Sequence, residues 1–298
     1  MLPLVTVIVP CYNHEKYVET CLDSIFRQTY KNIEVIVVDD YSSDSSVEVI
    51  KKLQHKYDFK FIEHQENWGL TKTLNDVIYN HAYGKYIKCI ASDDFLSNSA
   101  IELLVNNIEL NDNYAFTYGK AQTFEYTQEN RILYKHEIGR PTNFEELLFH
   151  DNKIPAPSVL FRKDKFIEVG GFDDSFIEDL QMWLKLLQYY DCAFLNEVVS
   201  YYQINNTSSM TKKYCEMYSS HVYILSKFFL NLEHKDHTKY DCFFEAILNY
   251  YHGYEIGKIK FYLKTNKVKA IYYYFKNFVS FVQKGRKVVF TFWYDILK

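Results

Sequence analysis

The sequence lacks the segments that carry a protein into or across a membrane. It contains no run of 18 apolar residues, and its apolar start, Val5–Val9, is short and ends at Pro10. A membrane-spanning helix needs about 20 apolar residues, and a cleaved leader needs a charged stretch followed by an apolar core. The sequence therefore predicts a protein that neither spans a membrane nor is secreted by a cleaved signal.

Cysteine occurs without the spacing of a disulfide framework or a zinc site. The six cysteines form no CxxC pair, and Cys11, Cys21 and Cys89 fall in segments with an apolar pattern. Closely spaced cysteines are the mark of metal and redox sites. Free thiols in a reducing compartment are the remaining interpretation, so a cytoplasmic location is predicted.

Several binding signatures are also missing. There is no GxGxxG and no GxxxxGK[ST] sequence, so neither the common dinucleotide fold nor a P-loop is indicated. His14, His64 and His150 have no metal-ligand spacing and are interpreted as surface or structural residues. A formal net charge of −4 argues against a general nucleic-acid-binding protein.

The sequence does contain an alternation of strand and helix patterns between residues 5 and 95. Short apolar runs at Val5–Val9, Ile33–Val38, Phe59–Ile62 and Tyr86–Ile90 are separated by amphipathic segments. The composition, 48% hydrophobic and 24% charged, is that of a folded protein. The alternation predicts an α/β fold with a Rossmann-like, mostly parallel central sheet flanked by helices.

Polar residues follow three of these runs, at residues 10–13, 39–44 and 92–94. Ligands bind beyond the carboxyl ends of parallel strands, so the three clusters predict one binding edge. Tyr12 offers an aromatic face, and the carboxylate of Asp40 can accept a hydrogen bond from the imide N–H of uracil or thymine. An acid that ends a strand can also serve only as a turn or cap, which is the alternative for Asp40.

Two pairs of acids are candidates for chemistry. Asp93 and Asp94 follow the strand-like run at Tyr86–Ile90. Mg²⁺ and Mn²⁺ prefer oxygen ligands, so one or two carboxylates and a diphosphate would complete the shell of either ion. Glu178 and Asp179 stand at the predicted start of a helix, where the helix dipole stabilises an anion and so favours a base. An ordinary turn and an ordinary helix-terminal acid are the respective alternatives.

Five sequence blocks occur in order between about residues 4 and 205. They are TVIVPCYNHEKYVETCLDSIFRQTY, IEVIVVDDYSSD, NWGL, ASDDF and VGGFDDSFIEDLQMWLKL. Together they resemble the successive blocks of family-2 glycosyltransferases, which have the GT-A fold. No single block identifies the family, whereas five in order at plausible spacing do.

The resemblance implies a domain organisation. A GT-A catalytic domain is expected at residues 1–211, with a nucleotide-binding half at 1–112 and an acceptor half at 113–211. A helical, basic and aromatic extension is expected at residues 212–298. Within it, residues 258–298 hold ten Lys or Arg and one acid. A basic aromatic helix can lie on an anionic membrane, so peripheral contact with the inner face of the cytoplasmic membrane is predicted, with a packed helical subdomain as the alternative.

The resemblance also implies roles for individual residues. Tyr12 and Asp40 are expected to hold the nucleobase, and Asp94 is the expected metal ligand. Asp179 is expected to deprotonate the acceptor, with Glu178 beside it, and Gly170-Gly171 matches the tight turn below the acceptor site. The full predicted donor-binding set is Pro10, Tyr12, Asn13, Asp40, Asn67, Gly69, Lys72 and Asp93.

The implied reaction is inverting transfer of a sugar from a UDP- or dTDP-sugar, with Mn²⁺ or Mg²⁺. The implied acceptor is a hydroxyl of a glycan or lipid-linked oligosaccharide in bacterial surface polysaccharide synthesis. The chemistry agrees, because the departing diphosphate needs charge neutralisation. The acceptor hydroxyl also needs a base on the opposite face of the sugar, and a single displacement inverts the anomeric carbon.

The sequence departs from the family pattern in two places. Leu74 stands where an Arg is common before Asn75, and the stretch Tyr202-Gln203-Ile204-Asn205 lacks the Arg and His of the usual YRxH. The second departure favours a rival interpretation, a catalytically silent member that binds a nucleotide-sugar or acts as a scaffold. A sugar nucleotidyltransferase is a further rival, but the first loop lacks the Gly-rich, basic sequence such enzymes need.

Overall fold

The computed structural model describes residues 2–127, 131–204, 214–232, 238–239, 241–243 and 245–247. The chain divides into two compact units, Met1–Ser209 and Met210–Lys298. The predicted boundary between residues 211 and 212 stays a prediction.

The described part of the first unit contains nine strands and seven helices, with one short 3-10 helix at Ala156–Ser158. The strands are β1 (Val5–Cys11), β2 (Ile33–Asp39), β3 (Lys60–Glu63), β4 (Tyr86–Cys89), β5 (Phe95–Leu96), β6 (Tyr114–Tyr126), β7 (Ile132–Ile138), β8 (Val159–Arg162) and β9 (Asp191–Gln203). The helices are α1 (Val18–Phe26), α2 (Ser46–Leu53), α3 (Leu70–Asn80), α4 (Ala100–Ile108), α5 (Phe144–Phe149), α6 (Lys163–Glu168) and α7 (Glu178–Leu187).

The strand order creates a switch point beside β1. The order is β3-β2-β1-β4-β8-β6-β9-β5, with β7 paired to β6. The chain moves outward from β1 through β2 to β3, then returns to place β4 on the other side of β1, and all these neighbours are parallel. In open α/β sheets a crevice for ligands forms at such a point, beyond the carboxyl ends of the strands. The segments that follow β1 and β4 therefore flank this crevice.

β1, inside the first half of the sheet, is buried on both faces. Val7, Ile8 and Val9 of β1 are fully buried, and both faces of a parallel sheet need such cover because helices pack on each side. In α1, Leu22 and Ile25 are buried on the face that packs on the sheet. The predicted alternation of strands and helices is confirmed.

The second half of the sheet is mixed. β8 pairs antiparallel with both β4 and β6, while β6 and β9 are parallel. β9 also pairs antiparallel with β5, with Phe95 opposite Tyr201. Since β5 begins directly after Asp94, this pairing brings the end of β9 to the acidic edge of the sheet.

Two predictions about the rest of the chain can be compared with the structure. The cysteines whose side chains are described, Cys11, Cys21, Cys89, Cys192 and Cys242, are free thiols, as predicted. In the second unit, α8 spans Tyr214–Leu230, and no helix among the described residues is long and apolar enough to cross a membrane. The membrane contact predicted for residues 258–298 lies outside the described residues.

We predict that Gly84→Ala destabilises the fold. Gly84 lies against β1, where a Cβ atom would stand 2.5 Å from the backbone nitrogen of Thr6. Overpacking against backbone costs about 1–3 kcal/mol, so the free energy of unfolding in urea should fall by that amount. The neighbouring Tyr83 is 79% exposed, and Tyr83→Ala is the control that should leave stability nearly unchanged. Equal stability of the two variants would contradict the packing described for β1.

Candidate active site

Three polar segments meet at the edge beside the switch point. The backbone N–H of Ser92 donates to the carbonyl of Pro10 at 3.3 Å, and that of Asp40 donates to the carbonyl of Cys11 at 2.9 Å. The loops after β1, β2 and β4 are thus held side by side. This is the arrangement that the sequence predicted for residues 10–13, 39–44 and 92–94.

The first two loops lock together through side chains. Asn13 has φ of 56°, its N–H donates to Ser42 Oγ at 2.9 Å, and its Oδ1 accepts from the N–H of Ser43 at 2.8 Å. A left-handed residue with these two bonds turns the chain sharply after β1. The N-terminus of α2 is also capped by this region, because Asp44 Oδ1 accepts from the N–H of Ser46 at 3.0 Å.

Asp40 is buried and anchors the start of α3. Its Oδ1 accepts from the N–H of Trp68 at 2.8 Å and lies 2.8 Å from His64 Nδ1, while its Oδ2 accepts from the N–H of Gly69 at 2.9 Å. Asn67 Nδ2 donates to the Asp40 carbonyl at 3.0 Å. These bonds offset the cost of burying a carboxylate. The structure thereby shows a structural role for Asp40, and its contact with a nucleobase stays a prediction.

The remaining donor-side residues lie around this anchor. Tyr12 follows β1 and is 47% exposed, so its ring is accessible at the edge. Gly69 has φ of 79° at the start of α3. The ammonium of Lys72 lies 4.1 Å from the centroid of the Trp68 ring, a cation–π distance. The role of Lys72 in donor binding stays a prediction.

The two acids that follow β4 have different surroundings. Asp94 is 4% exposed, and its Oδ1 accepts from the backbone N–H of Gln203 at 2.8 Å. Burial and the neighbouring Asp93 charge raise the pKa of Asp94 well above its usual range. Asp93 Oδ1 lies 3.9 Å from His14 Nδ1, which is itself 2.8 Å from Ser92 Oγ. His14 therefore belongs to the site, which the sequence did not indicate because its histidines lack metal-ligand spacing.

A buried lysine lies behind the acidic pair. Lys88 on β4 is fully buried, and its Nζ donates to the carbonyls of Pro157 at 2.5 Å and Val159 at 3.1 Å. Burial lowers the pKa of Lys88 to about 8. Its positive charge acts against the rise in the pKa of Asp94.

The donor set at this edge fits a cation shared with a diphosphate. Within the described residues, no group of three or more His, Cys, Asp or Glu side chains could hold a metal ion by itself. Mg²⁺ and Mn²⁺ are commonly bound by one or two carboxylates together with substrate phosphates and water. Asp94, with Asp93 beside it, supplies that number of hard oxygen ligands.

Glu178 and Asp179 form the first turn of α7. Burial and the Asp179 charge raise the pKa of Glu178 from its usual 4.5 to about 8, and burial also raises the pKa of Asp179. Asp179 Oδ1 accepts from the N–H of Leu180 at 2.7 Å. Burial thus raises the pKa of Asp179, whereas its place at the start of α7 favours the anion, and its role as a base stays a prediction.

Tyr202 shows that the two acidic pairs share one neighbourhood. Burial, followed by the charges of Asp94, Asp93 and Asp179, raises the pKa of its hydroxyl to about 12. Acids more than 80 positions apart in sequence are thus close enough to act on one phenol. Tyr202 was noted in the sequence only as part of an altered loop, because its position next to the acids depends on the pairing of β9 with β5.

The family is settled by a sequence match. The model of the family described as glycosyl transferase family 2 matches residues 6–170. The chain belongs to glycosyl transferase family 2. The match ends before Glu178 and Asp179, so the roles of these two acids rest on the local geometry and the resemblance of their block.

Curated relatives of this family-2 chain are longer than the chain itself. Glycosyltransferase GlyA of Streptococcus pneumoniae is 37% identical over 136 residues, covering 45% of this chain and 19% of that protein. Poly-beta-1,6-N-acetyl-D-glucosamine synthase of Staphylococcus aureus is 28% identical over 195 residues, covering 61% and 45% respectively. The chain therefore spans less than half the length of either relative.

Solved structures show the same fold. S. aureus TarS 1-349 in complex with UDP-GlcNAc matches with a TM-score of 0.65 at 19% identity, over 84% of this chain and 72% of that one. The mannosyltransferase PcManGT from Pyrobaculum calidifontis, in complex with GDP-Man and Mn²⁺, matches with a TM-score of 0.61 at 16% identity, over 97% and 81%. The predicted GT-A fold is confirmed.

We predict that Glu178→Gln flattens the dependence of stability on pH. In the unfolded chain Glu178 loses its proton near pH 4.5, whereas in the folded protein it keeps the proton up to about pH 8. The folded state therefore loses stability as pH rises through that window. Glutamine has no such proton, so the urea midpoint of the variant should fall less than that of the wild type between pH 5 and pH 8.

The matched control is Glu48→Gln, an exposed glutamate in the first turn of α2. It should keep the pH dependence of the wild type. Identical pH profiles for Glu178→Gln and the wild type would show that Glu178 is not desolvated in the folded protein.

Proposed function

We propose that this protein is an inverting glycosyltransferase that transfers a sugar from a UDP-sugar to a hydroxyl group. The observation that carries the proposal is the pairing of β9 with β5, which places the backbone of Gln203 on Asp94 and brings the neighbouring Tyr202 within range of the charges of Asp93, Asp94 and Asp179. Donor-side acids and a candidate base thus lie around one crevice at the switch point of a GT-A sheet. Such a transfer needs these two functions on opposite sides of the anomeric carbon.

The donor we favour is UDP-N-acetylglucosamine. One relative is named a poly-beta-1,6-N-acetyl-D-glucosamine synthase, and one structural neighbour is a complex with UDP-GlcNAc. On the donor side, Tyr12 and Asp40 are proposed to hold the base, with Pro10, Asn13 and Asn67 forming the surrounding loops. A dTDP-sugar is the second donor that this pocket would accept.

Asp179 is the proposed general base. In one displacement, Asp179 takes the proton of the acceptor hydroxyl while the oxygen of that hydroxyl attacks the anomeric carbon. The bond from that carbon to the diphosphate oxygen breaks, and the electron pair leaves with the nucleoside diphosphate. A raised pKa suits this role, because a carboxylate is a stronger base when its pKa approaches the working pH. Glu178 lies beside it in the first turn of α7.

Asp94 is the proposed ligand of a divalent cation, with Asp93 directed to the ribose. Mn²⁺ or Mg²⁺, when bound, would neutralise the departing diphosphate. Lys88 is fixed behind this carboxylate and would help to keep Asp94 ionised before donor binding.

The acceptor proposed is a glycan or lipid-linked oligosaccharide of a bacterial surface polysaccharide, reached from the cytoplasm. The basic residues 258–298 are proposed to bring the enzyme to the membrane. The alternative function is a silent nucleotide-sugar-binding or scaffold protein. It is favoured by one observation, that Gln203, which stands where an Arg is usual, binds Asp94 only through its backbone.

The first experiment offers the purified protein UDP-, dTDP- and GDP-sugars with Mn²⁺ or Mg²⁺ and measures release of nucleotide. We expect release from UDP-N-acetylglucosamine that depends on the metal. Asp179→Asn should lower turnover by about 100-fold or more, since an amide cannot accept the proton. Its affinity for the donor, measured by calorimetry, should stay within about twofold of the wild type. Transfer at the wild-type rate by Asp179→Asn would exclude Asp179 as the base.

A second experiment separates the metal ligand from the base. Asp94→Ala should remove the part of donor affinity that depends on Mn²⁺ and leave the metal-free affinity nearly unchanged, because the carboxylate acts through the cation. The control is Asp58→Ala, an exposed acid that precedes β3 at the opposite edge of the sheet. A donor affinity that responds equally to Mn²⁺ in Asp94→Ala and in the wild type would rule out Asp94 as a metal ligand.

A further inference from the structure

Asn75, in the middle of α3, binds the backbone of a residue 97 positions away. Its Oδ1 accepts from the N–H of Phe172 at 3.0 Å, and its Nδ2 donates to the carbonyl of Phe172 at 2.8 Å. One side-chain amide therefore satisfies both polar groups of a single backbone residue. Only a side chain with a donor and an acceptor in this geometry can make both bonds.

The turn before Phe172 is shaped to reach Asn75. Gly170 and Gly171 both have positive φ, 86° and 71°, which residues with a side chain rarely adopt. A Cβ atom on Gly171 would stand 2.9 Å from Asn75 Oδ1 and 3.0 Å from Tyr79 Oη. The glycine pair thus allows the chain to pass directly against α3.

The same turn is held from the other side by α7. Lys185 Nζ donates to the carbonyl of Gly171 at 2.9 Å and to Asp173 Oδ1 at 2.5 Å. Gln181 Nε2 donates to Asp173 Oδ2 at 2.5 Å. α7 begins at Glu178 and carries the proposed base. Hydrogen bonds therefore join this helix to the same turn that Asn75 binds.

The other end of α3 belongs to the donor side. The backbone N–H groups of Trp68 and Gly69, at its start, both bind the carboxylate of Asp40. The first half of α3 therefore connects the Asp40 anchor to the turn that α7 also contacts. Asn75 is the side chain of α3 that makes this connection through two hydrogen bonds.

We propose that Asn75 is a positioning residue that sets the base helix α7 relative to the donor side of the crevice. This inference rests on the proposed function, because positioning matters only if Asp179 acts on an acceptor beside a bound donor. Displacing a reacting group by about 1 Å can cost on the order of 100-fold in rate. Asn75 acts through the turn at Phe172 and not by touching the substrate.

The test compares Asn75→Ala and Asn75→Asp with the wild type. For Asn75→Ala we expect kcat to fall about 10- to 100-fold, while the dissociation constant for UDP-N-acetylglucosamine changes by less than about twofold. Asn75→Asp keeps the acceptor for the Phe172 N–H but removes the donor to its carbonyl. An oxygen in place of Nδ2 would face the Phe172 carbonyl oxygen at 2.8 Å and repel it, so the kcat of Asn75→Asp should fall at least as far as that of Asn75→Ala.

The matched control is Asn80→Ala on the same helix. The Asn80 amide is exposed and donates within α3, to Asp76 Oδ1 at 2.8 Å. This variant should keep the wild-type kcat. Equal losses of kcat in Asn75→Ala and Asn80→Ala would mean that general weakening of α3, and not the contact with Phe172, causes the effect.

A double-mutant cycle distinguishes positioning from a purely structural role. If Asn75 acts through the base, Asn75→Ala should have little further effect on the residual rate of Asp179→Asn. A loss of the same factor in both backgrounds, or a loss confined to donor affinity, would overturn the proposal.

A measurement that needs no catalysis keeps this inference separate from the proposed function. Hydrogen exchange of the backbone amides of residues 170–180 should become faster in Asn75→Ala by at least about tenfold, but not in Asn80→Ala, because loss of the two hydrogen bonds makes local opening of the turn easier. Unchanged exchange would overturn the positioning role even in an active enzyme. If the wild type transfers no sugar while exchange accelerates as expected, the proposed function fails and the contact of α3 with the turn stands.

Discussion

Several carboxylates are buried at one edge of the sheet, and the rest of the structure must offset the free energy that their burial costs. An isolated charge in a protein interior is unfavourable by several kcal/mol unless hydrogen bonds or an opposite charge offset it. Asp40 meets this requirement with two backbone N–H groups and His64. Asp94 has one backbone N–H and the nearby charge of Lys88, so its need for a positive charge is not fully met by the protein.

This difference assigns different tasks to acids that look alike in the sequence. Asp40 is satisfied by the segment that leads from β3 into α3 and therefore organises the start of that helix. Asp94, Glu178 and Asp179 have raised pKa values because hydrogen bonds and nearby charges offset only part of the cost of burying them. Perturbed carboxyl groups that converge on one crevice are typical of sites that bind cations or move protons. The proposed metal ligand and the proposed base are both of this kind.

The two halves of the sheet contribute unequally to the site. The parallel half supplies the crevice through the position of β4 beside β1, and backbone hydrogen bonds join the loops that follow β1, β2 and β4. The mixed half supplies Tyr202 and Gln203 by way of the β5–β9 pair, and α7 by way of the turn at Gly170-Gly171. Contacts across the halves, such as those of Asn75 and Lys88, determine whether the two sets of acids have a fixed relative geometry.

The sequence by itself determined the α/β class, the four strands of the parallel half and the acids that end them. It could do so because apolar periodicity and strand-terminal polar residues are local signals. The resemblance to the family rested on five sequence blocks in order. Only the tertiary structure decided how those acids behave. Four features of the site arise from residues far apart in the chain. They are the use of Asp40 as an anchor, the placement of His14 beside Asp93, the raised pKa of Asp179 and the hydrogen bonds of Asn75 to Phe172. Burial and long-range hydrogen bonds have no signature in a local pattern, so no reading of spacing or composition could have supplied them.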